Sequence, residues 1–175
     1  MMNDPTLCMI SKKDGYAPQI SRLISMMNYT RHTIEEEIRG LTIEALDFQL
    51  DDRSNSIGML LHHIASLEKA FQIMTFQNRE MTDNEWDELG SGIELGEETR
   101  LKVKGNDLDY YWSELCLLRA QTLDAFRKKE DAWLEEVTPY GWDERANNYF
   151  KWFHVMGDEI SHRGQIWFIQ RRLTT

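Results

Sequence analysis

The sequence predicts an all-α protein, a four-helix bundle. Four long segments, near residues 18–38, 57–74, 108–126 and 150–168, repeat apolar residues at the helical period. No segment alternates in the manner of a strand, so helices packed on helices are the economical architecture. Only three Pro and ten Gly occur in 175 residues, against 41% hydrophobic residues that include six Trp, seven Phe and nine Met. That leaves few helix breakers and ample apolar mass for a core. The length fits one domain spanning residues 1–175.

Residues 1–16, with Asp4-Pro5, Lys12-Lys13 and Asp14-Gly15, read as a loose arm ending in a turn. Pro18 stands near the first position of the first helix, where its missing N–H costs nothing. Ile20, Leu23, Met27, Ile34 and Ile38 form its apolar stripe, with Arg22, Arg31 and Glu35 to Glu37 outside it, and Gly40 ends it. Thr42 to Ala45 can make one helical turn in the connector that follows. Ser54-Asn55-Ser56 caps the second helix, whose inward residues are Ile57, Leu60, Leu61, Ile64, Leu67, Phe71 and Met74. Residues 78–106 are polar, acidic and glycine-bearing, and read as a long connecting excursion with a short turn around Asn84-Glu85-Trp86. Its expected role is ornament rather than a roof over a site. Asn106 or Asp107 caps the third helix, which buries Leu108, Tyr111, Trp112, Leu115, Leu118, Thr122 and Phe126. Its Arg127-Lys128-Lys129 ending suits a helix C-terminus. After a connector holding Pro139 and Gly141, Asp143 caps the last helix, whose apolar residues recur at Phe150, Phe153, Ile160, Trp167 and Phe168.

The formal charge of −10 repels a nucleic acid backbone, so no nucleic-acid partner is expected. Arg163, Arg171 and Arg172 near the C-terminus read as complements to the helix dipole. No apolar run approaches the roughly 18 residues that span a membrane, and no basic-then-apolar leader opens the chain. The two cysteines, Cys8 and Cys116, are expected reduced, in a cytoplasm of bacterial type or another reducing compartment.

The last helix carries the chemistry. His154, Asp158 and His162 are spaced four apart, so they share one face within a turn of each other. Two such ligands make a poor site alone. On the second helix, His63 lies between Leu60 and Leu67 and should face inward, while its neighbour His62 sits at the edge and can face either side. With facing helices, His63, Asp158 and His162 form a two-histidine, one-carboxylate triad for a divalent metal that keeps open positions. Zn is the first expectation, and Ni, Mn and Fe(II) suit the same donors. His154 is assigned to a pocket or a supporting hydrogen bond, and His62 to a similar peripheral role. The competing expectation is that an inward histidine is a satisfied core residue and that Asp158 and His162 are an ordinary helix pair.

Three stretches carry a family resemblance: Gly40-Leu-Thr-Ile-Glu-Ala-Leu-Asp47, Ser56-Ile-Gly-Met-Leu-Leu-His-His63-Ile-Ala-Ser-Leu-Glu68, and His154-Val-Met-Gly-Asp158-Glu-Ile-Ser-His162-Arg-Gly-Gln165-Ile. Together they resemble the DinB/YfiT-like superfamily of metal-dependent enzymes. The resemblance implies an up-down-down-up bundle, commonly a homodimer. It implies three ligands that fall on His63, Asp158 and His162. It further implies a small-molecule substrate, with low-molecular-weight thiols such as bacillithiol or mycothiol as cosubstrates of its thiol transferases and isomerases. The usual residue four before the final histidine is another histidine. Asp158 makes the site here harder and more anionic, which favours Zn, Mn or Fe(II). The expected function is therefore a metal-dependent thiol transferase or hydrolase. The alternative is a non-catalytic dimeric bundle, a binding or stress-response protein with a degenerate metal site.

Overall fold

The computed structural model describes residues 6–140 and 145–173. Four long helices make the bundle: α1 (Pro18–Ile38), α3 (Ile57–Phe76), α6 (Leu108–Phe126) and α7 (Asn148–Leu173). Short helices α2 (Ile43–Asp47), α4 (Asp83–Glu94) and α5 (Glu97–Lys102) fill the connectors. A 3-10 turn (Asp131–Glu135) and two two-residue antiparallel strands, β1 (Val137–Thr138) and β2 (Ala146–Asn147), lead into α7.

Side-chain pairings fix the helix directions. Arg31 meets Glu159, Thr33 meets Arg163 and Glu37 meets Gln170, so α1 and α7 run parallel. Gly58 lies against Tyr111, and Gln72 bonds Leu118 and Thr122, so α3 and α6 also run parallel. His63 faces Asp158 while Phe71 faces His154, which sets α3 antiparallel to α7. The order is up-down-down-up, as the family resemblance implies.

Local chemistry places the helix ends. Ser56, Asp107 and Thr42 each accept an amide N–H at their helix N-terminus, and Gly40, at φ +75°, turns the chain after α1. The expected Asp143 cap lies outside the described residues; α7 starts at Asn148, and Asn147 Oδ1 accepts from the Phe150 amide at 2.9 Å. The described part of the N-terminal arm lies along α1 rather than hanging loose. The Ser21 and Ser25 hydroxyls donate to the Lys13 and Ser11 carbonyls at 3.3 Å.

The core divides into two apolar clusters. One joins Ile20, Leu23 and Met27 to Phe71, Phe126, Trp133 and Trp152. The other joins Ile34 and Ile38 to Leu60, Leu61, Tyr111, Leu115 and Ile166. Each long helix contributes one charged residue to a single buried network: Arg31, Glu68, Arg119 and Glu159. Arg31 was expected outside the α1 stripe and is instead buried. It reaches Glu159 and donates to Glu68 at 3.0 Å and to the Leu115 carbonyl at 2.9 Å. Arg119 donates to Glu68 at 2.9 Å and to Glu159 at 3.1 Å. Thr122 adds a 2.7 Å hydrogen bond to Glu68. Burial by itself raises the Glu68 carboxyl, but the charges of Arg119 and Arg31 outweigh it and lower the group to about 2.

The apolar residues of α7 correct a second expectation. Phe150, Phe153, Ile160, Trp167 and Phe168 do recur with the helix, but on its outer face, each between 42% and 54% exposed. The inner face buries Trp152, Val155, Met156, Ile166 and Ile169 together with Asn148, Lys151, Glu159 and His162.

Two predictions concern the buried charges. Arg119→Ala leaves two buried carboxylates sharing the single charge of Arg31 and should cost about 3–5 kcal/mol of stability, read from urea unfolding. Because the folded-state Glu68 carboxyl is depressed, its stabilisation is full above its ordinary value of 4.5 and is lost as pH falls from there toward about 2. Urea midpoints should therefore fall across that window.

Candidate metal centre

The segment between α3 and α6 is more ordered than its composition indicates. Thr82 and Glu85 form a reciprocal capping box at the start of α4. Arg79 clamps Glu85 through two hydrogen bonds of 2.6 and 2.7 Å. The short turn expected near Trp86 is a helix of 12 residues, and a second short helix, α5, follows. This corrects the reading of residues 78–106 as an excursion with little structure. It also corrects the expectation that the segment is ornament, because α4 packs on α3 and contributes to the site.

Gly90 is buried under the Trp86 ring of its own helix, and Gly92 is buried on the face of α4 that meets α3. A Cβ at Gly92 would stand 2.2 Å from Ser66 Oγ and 3.0 Å from His62 Nε2. Glycine thus permits an approach that no side chain allows. At that approach the Gly92 carbonyl accepts a hydrogen bond from His63 Nδ1 at 2.8 Å.

With Nδ1 so committed, His63 Nε2 points across the bundle to Asp158 Oδ2 at 3.1 Å. His162 has the same arrangement on α7. Its Nδ1 meets Gln165 Oε1 at 3.2 Å, one turn along, and its Nε2 meets Asp158 Oδ1 at 3.3 Å. The two imidazoles stand edge to face with centroids 4.6 Å apart. One ligating atom from each of His63, Asp158 and His162 lies within 4.8 Å of the others. Both histidines are buried and Asp158 is partly buried.

The donor set determines what suits the centre. A ring nitrogen facing a carbonyl or amide oxygen carries the proton, which leaves a lone pair on the other nitrogen of a neutral imidazole. Two neutral rings anchored this way turn lone pairs toward a carboxylate. A cation at the centre removes that conflict, as does full protonation of both rings. Burial raises the Asp158 carboxyl, but its hydrogen bonds with His162 and His63 outweigh that and hold the group well below the usual carboxylate range. The site is thus built to hold positive charge, and its outward-bonded histidines follow the pattern that orients metal ligands.

The two remaining histidines lie apart from the triad. His62 turns toward α6 and stands 3.7 Å from Glu114. His154, one turn before Asp158, packs between Phe71 and Phe150 with centroid distances of 5.7 and 6.1 Å and lines a cavity. Sequence reasoning did not assign roles to Gly92 or Gln165. Gln165 was legible as a polar residue three positions after His162, on the same side of the helix. Gly92 was visible only as one of several glycines in an acidic stretch.

Among the described residues no helix is long and apolar enough to cross a membrane. The Arg163 guanidinium donates to Thr33, and Arg172 donates to the Phe168 carbonyl, so both engage local groups.

Comparison with known proteins agrees with the fold and the motifs. The family model for mycothiol-S-transferase (MST) matches residues 22–174. A DinB-like protein from Bacillus cereus has a solved structure similar to this one, with a TM-score of 0.67 at 12% identity, covering 89% of this chain and 93% of that one. A conserved protein from Enterococcus faecalis is similar with a TM-score of 0.65 at 15% identity, covering 85% of this chain and 93% of that one. Identities this low carry the fold alone. No curated protein matches the chain. The match over residues 22–174 establishes that the chain belongs to the mycothiol-S-transferase family, within the DinB/YfiT-like superfamily, and the shared bundle agrees in fold.

Proposed function

We propose that the protein is a metal-dependent thiol S-transferase in which His63, Asp158 and His162 hold a divalent cation, with Zn first among Zn, Mn, Fe(II) and Ni. One observation carries this reading: both histidines bond outward through Nδ1 and turn Nε2 toward the same carboxylate. Three ligands from two helices leave coordination positions free for a small molecule. When bound, the cation would lower the pKa of a thiol and act as a Lewis acid.

The chain's own residues supply geometry. The Gly92 carbonyl and Gln165 fix the two rings, and α4 shields one side of the centre from water. In the overall reaction the thiol sulfur forms a bond to an electrophilic carbon of the second substrate. The bond from that carbon to its leaving group breaks, the electron pair goes with the leaving group, and the thiol proton passes to solvent. The family match supports a low-molecular-weight thiol of the mycothiol or bacillithiol kind as the sulfur donor. A cytoplasmic location accords with two free cysteines and a thiol cosubstrate. The exposed apolar face of α7 supports a homodimer, with open space above Gly157 and Gly164 for a second helix.

Protein purified without a histidine tag or chelator should carry about one divalent metal per chain, measured by elemental analysis. His63→Ala and His162→Ala should each lose it, and unchanged metal content in both variants would overturn the assignment. Gly92→Ala should push α4 off α3 and weaken metal affinity about 10- to 100-fold in a chelator competition, because the oxygen that orients His63 moves away.

A further inference from the structure

A second feature lies about one helical turn from the triad. A cavity of about 280 Å³ lies between α3, α4 and the start of α7. Three elements place it next to the candidate metal centre. On α3, Leu67 lines the cavity one turn after His63, and Ala70, Phe71 and Met74 extend the same face. On α7, His154 lines it one turn before Asp158. On α4, Ile93 lines it beside Gly92, whose carbonyl holds His63. A helical turn rises about 5.4 Å, so the inner end of the cavity and the triad are close neighbours.

The cavity has a chemical direction. Its inner wall is apolar and aromatic, with Phe71 against both His154 and Tyr140 at centroid distances of 5.7 and 6.1 Å. Its opening is acidic. Glu80 and Asp83 line it and are exposed, and Trp86, 44% exposed, stands beside them. No lysine or arginine is among the described lining residues. Arg79 is clamped on Glu85, and Lys151, whose charge interacts with Glu80, makes its hydrogen bonds to Thr138 behind the Tyr140 ring. An anion at this opening meets two carboxylates in a protein of net charge −10. A cation meets those carboxylates and the face of an indole. An apolar cavity of about 150 Å³ already accepts benzene, so this one takes one or two fused rings.

We infer that this cavity seats the electrophilic cosubstrate, and that the cosubstrate is an apolar aromatic compound, uncharged or positively charged at the end that reaches the opening. This rests on the thiol-transfer reading for its chemistry, while the binding preference stands on the cavity alone. The reactive carbon lies at the His154 end, next to the triad.

The test compares two probes of one shape, 1-naphthylmethylamine and naphthalene-1-carboxylate, by equilibrium dialysis against the full chain at pH 7. The amine should bind at least about tenfold more tightly than the carboxylate. Neutralising the opening with Glu80→Gln and Asp83→Asn should bring the two probes within about threefold of each other. Trp86→Ala, a surface change that leaves the core untouched, should weaken the amine by about tenfold. In proton NMR spectra, the His154 ring signal, assigned with His154→Gln, should move on addition of the amine while the His32 signal stays. Equal binding of the two probes, no binding of either, or binding that leaves the His154 signal in place would overturn the inference. His162→Ala separates the two proposals: the amine should still bind when the metal has been lost, and metal retained in that variant counts against the metal assignment and not against the cavity.

Discussion

Four charges in the middle of the bundle set the frame for everything else. Arg31, Glu68, Arg119 and Glu159 come one from each long helix and sum to zero; their hydrogen bonds join α1 and α6 each to α3 and to α7, so that Glu68 and Glu159 are tied together through the same two arginines, while no side-chain bond of the four runs between α1 and α6. Backbone carbonyls close that remaining gap, since Arg31 donates to Leu115 and Arg119 to Met27. An apolar core tolerates small slips of one helix along another, because one methyl contact replaces another. A buried ion pair does not, since a slip of one turn strands a charge in a medium of low dielectric. The quartet therefore fixes the register of α7 on α3. Asp158 is the residue before Glu159, so the contact that fixes the register also determines where the candidate ligands meet His63.

Register alone does not orient an imidazole, which can rotate about its side-chain bonds. The orientation comes from outside the bundle proper. For His63 it comes from a backbone carbonyl on α4, and for His162 from Gln165 on its own helix. A backbone acceptor is a rigid choice, because α4 moves only as a unit. It demands that α4 come close enough for its main chain to touch a side chain of α3. Gly92 meets that demand by having no Cβ to strike Ser66. The capping box at Thr82 and the Arg79–Glu85 clamp then hold the first turn of α4, which otherwise rests on few apolar residues.

Much of this was legible in the chain. The four long helices, most of their inward residues and their caps follow from period and capping chemistry, and Ile20 to Ile38 on α1 and Tyr111 to Phe126 on α6 bury as their spacing requires. The spacing of Asp158 and His162, and the inward position of His63, bring three ligating groups within reach of one another. What sequence reasoning missed has physical causes. Arg31 reads as a surface residue because its charge needs partners 37 and 128 residues away in sequence. Residues 78–106 read as loop because their glycines, with Asn, Asp and Ser among them, lower helix propensity. There, propensity was overridden by end caps and by packing on α3. The apolar pattern of α7 gives the helix correctly but not its orientation, since a period reveals a face and never which side that face occupies.

That last ambiguity reaches the core of how the site is built. The inner face of α7 is unusually polar for a buried one, with Asn148, Lys151, Glu159 and His162 all buried. Each has a partner: Asn148 donates to the Trp133 carbonyl, Lys151 to Thr138, Glu159 accepts from two arginines, and His162 is held between Asp158 and Gln165. Buried polar groups are tolerated when they are satisfied, and a fully satisfied set specifies one arrangement more sharply than apolar packing does. Five large apolar side chains are then left on the outer face, where water is a poor neighbour for them. The ligands and register contacts of α7 share its inner face with five buried apolar residues, and five more apolar residues remain on the outer face. The same division that makes α7 the carrier of the candidate site therefore makes it the most adhesive outer surface of the bundle.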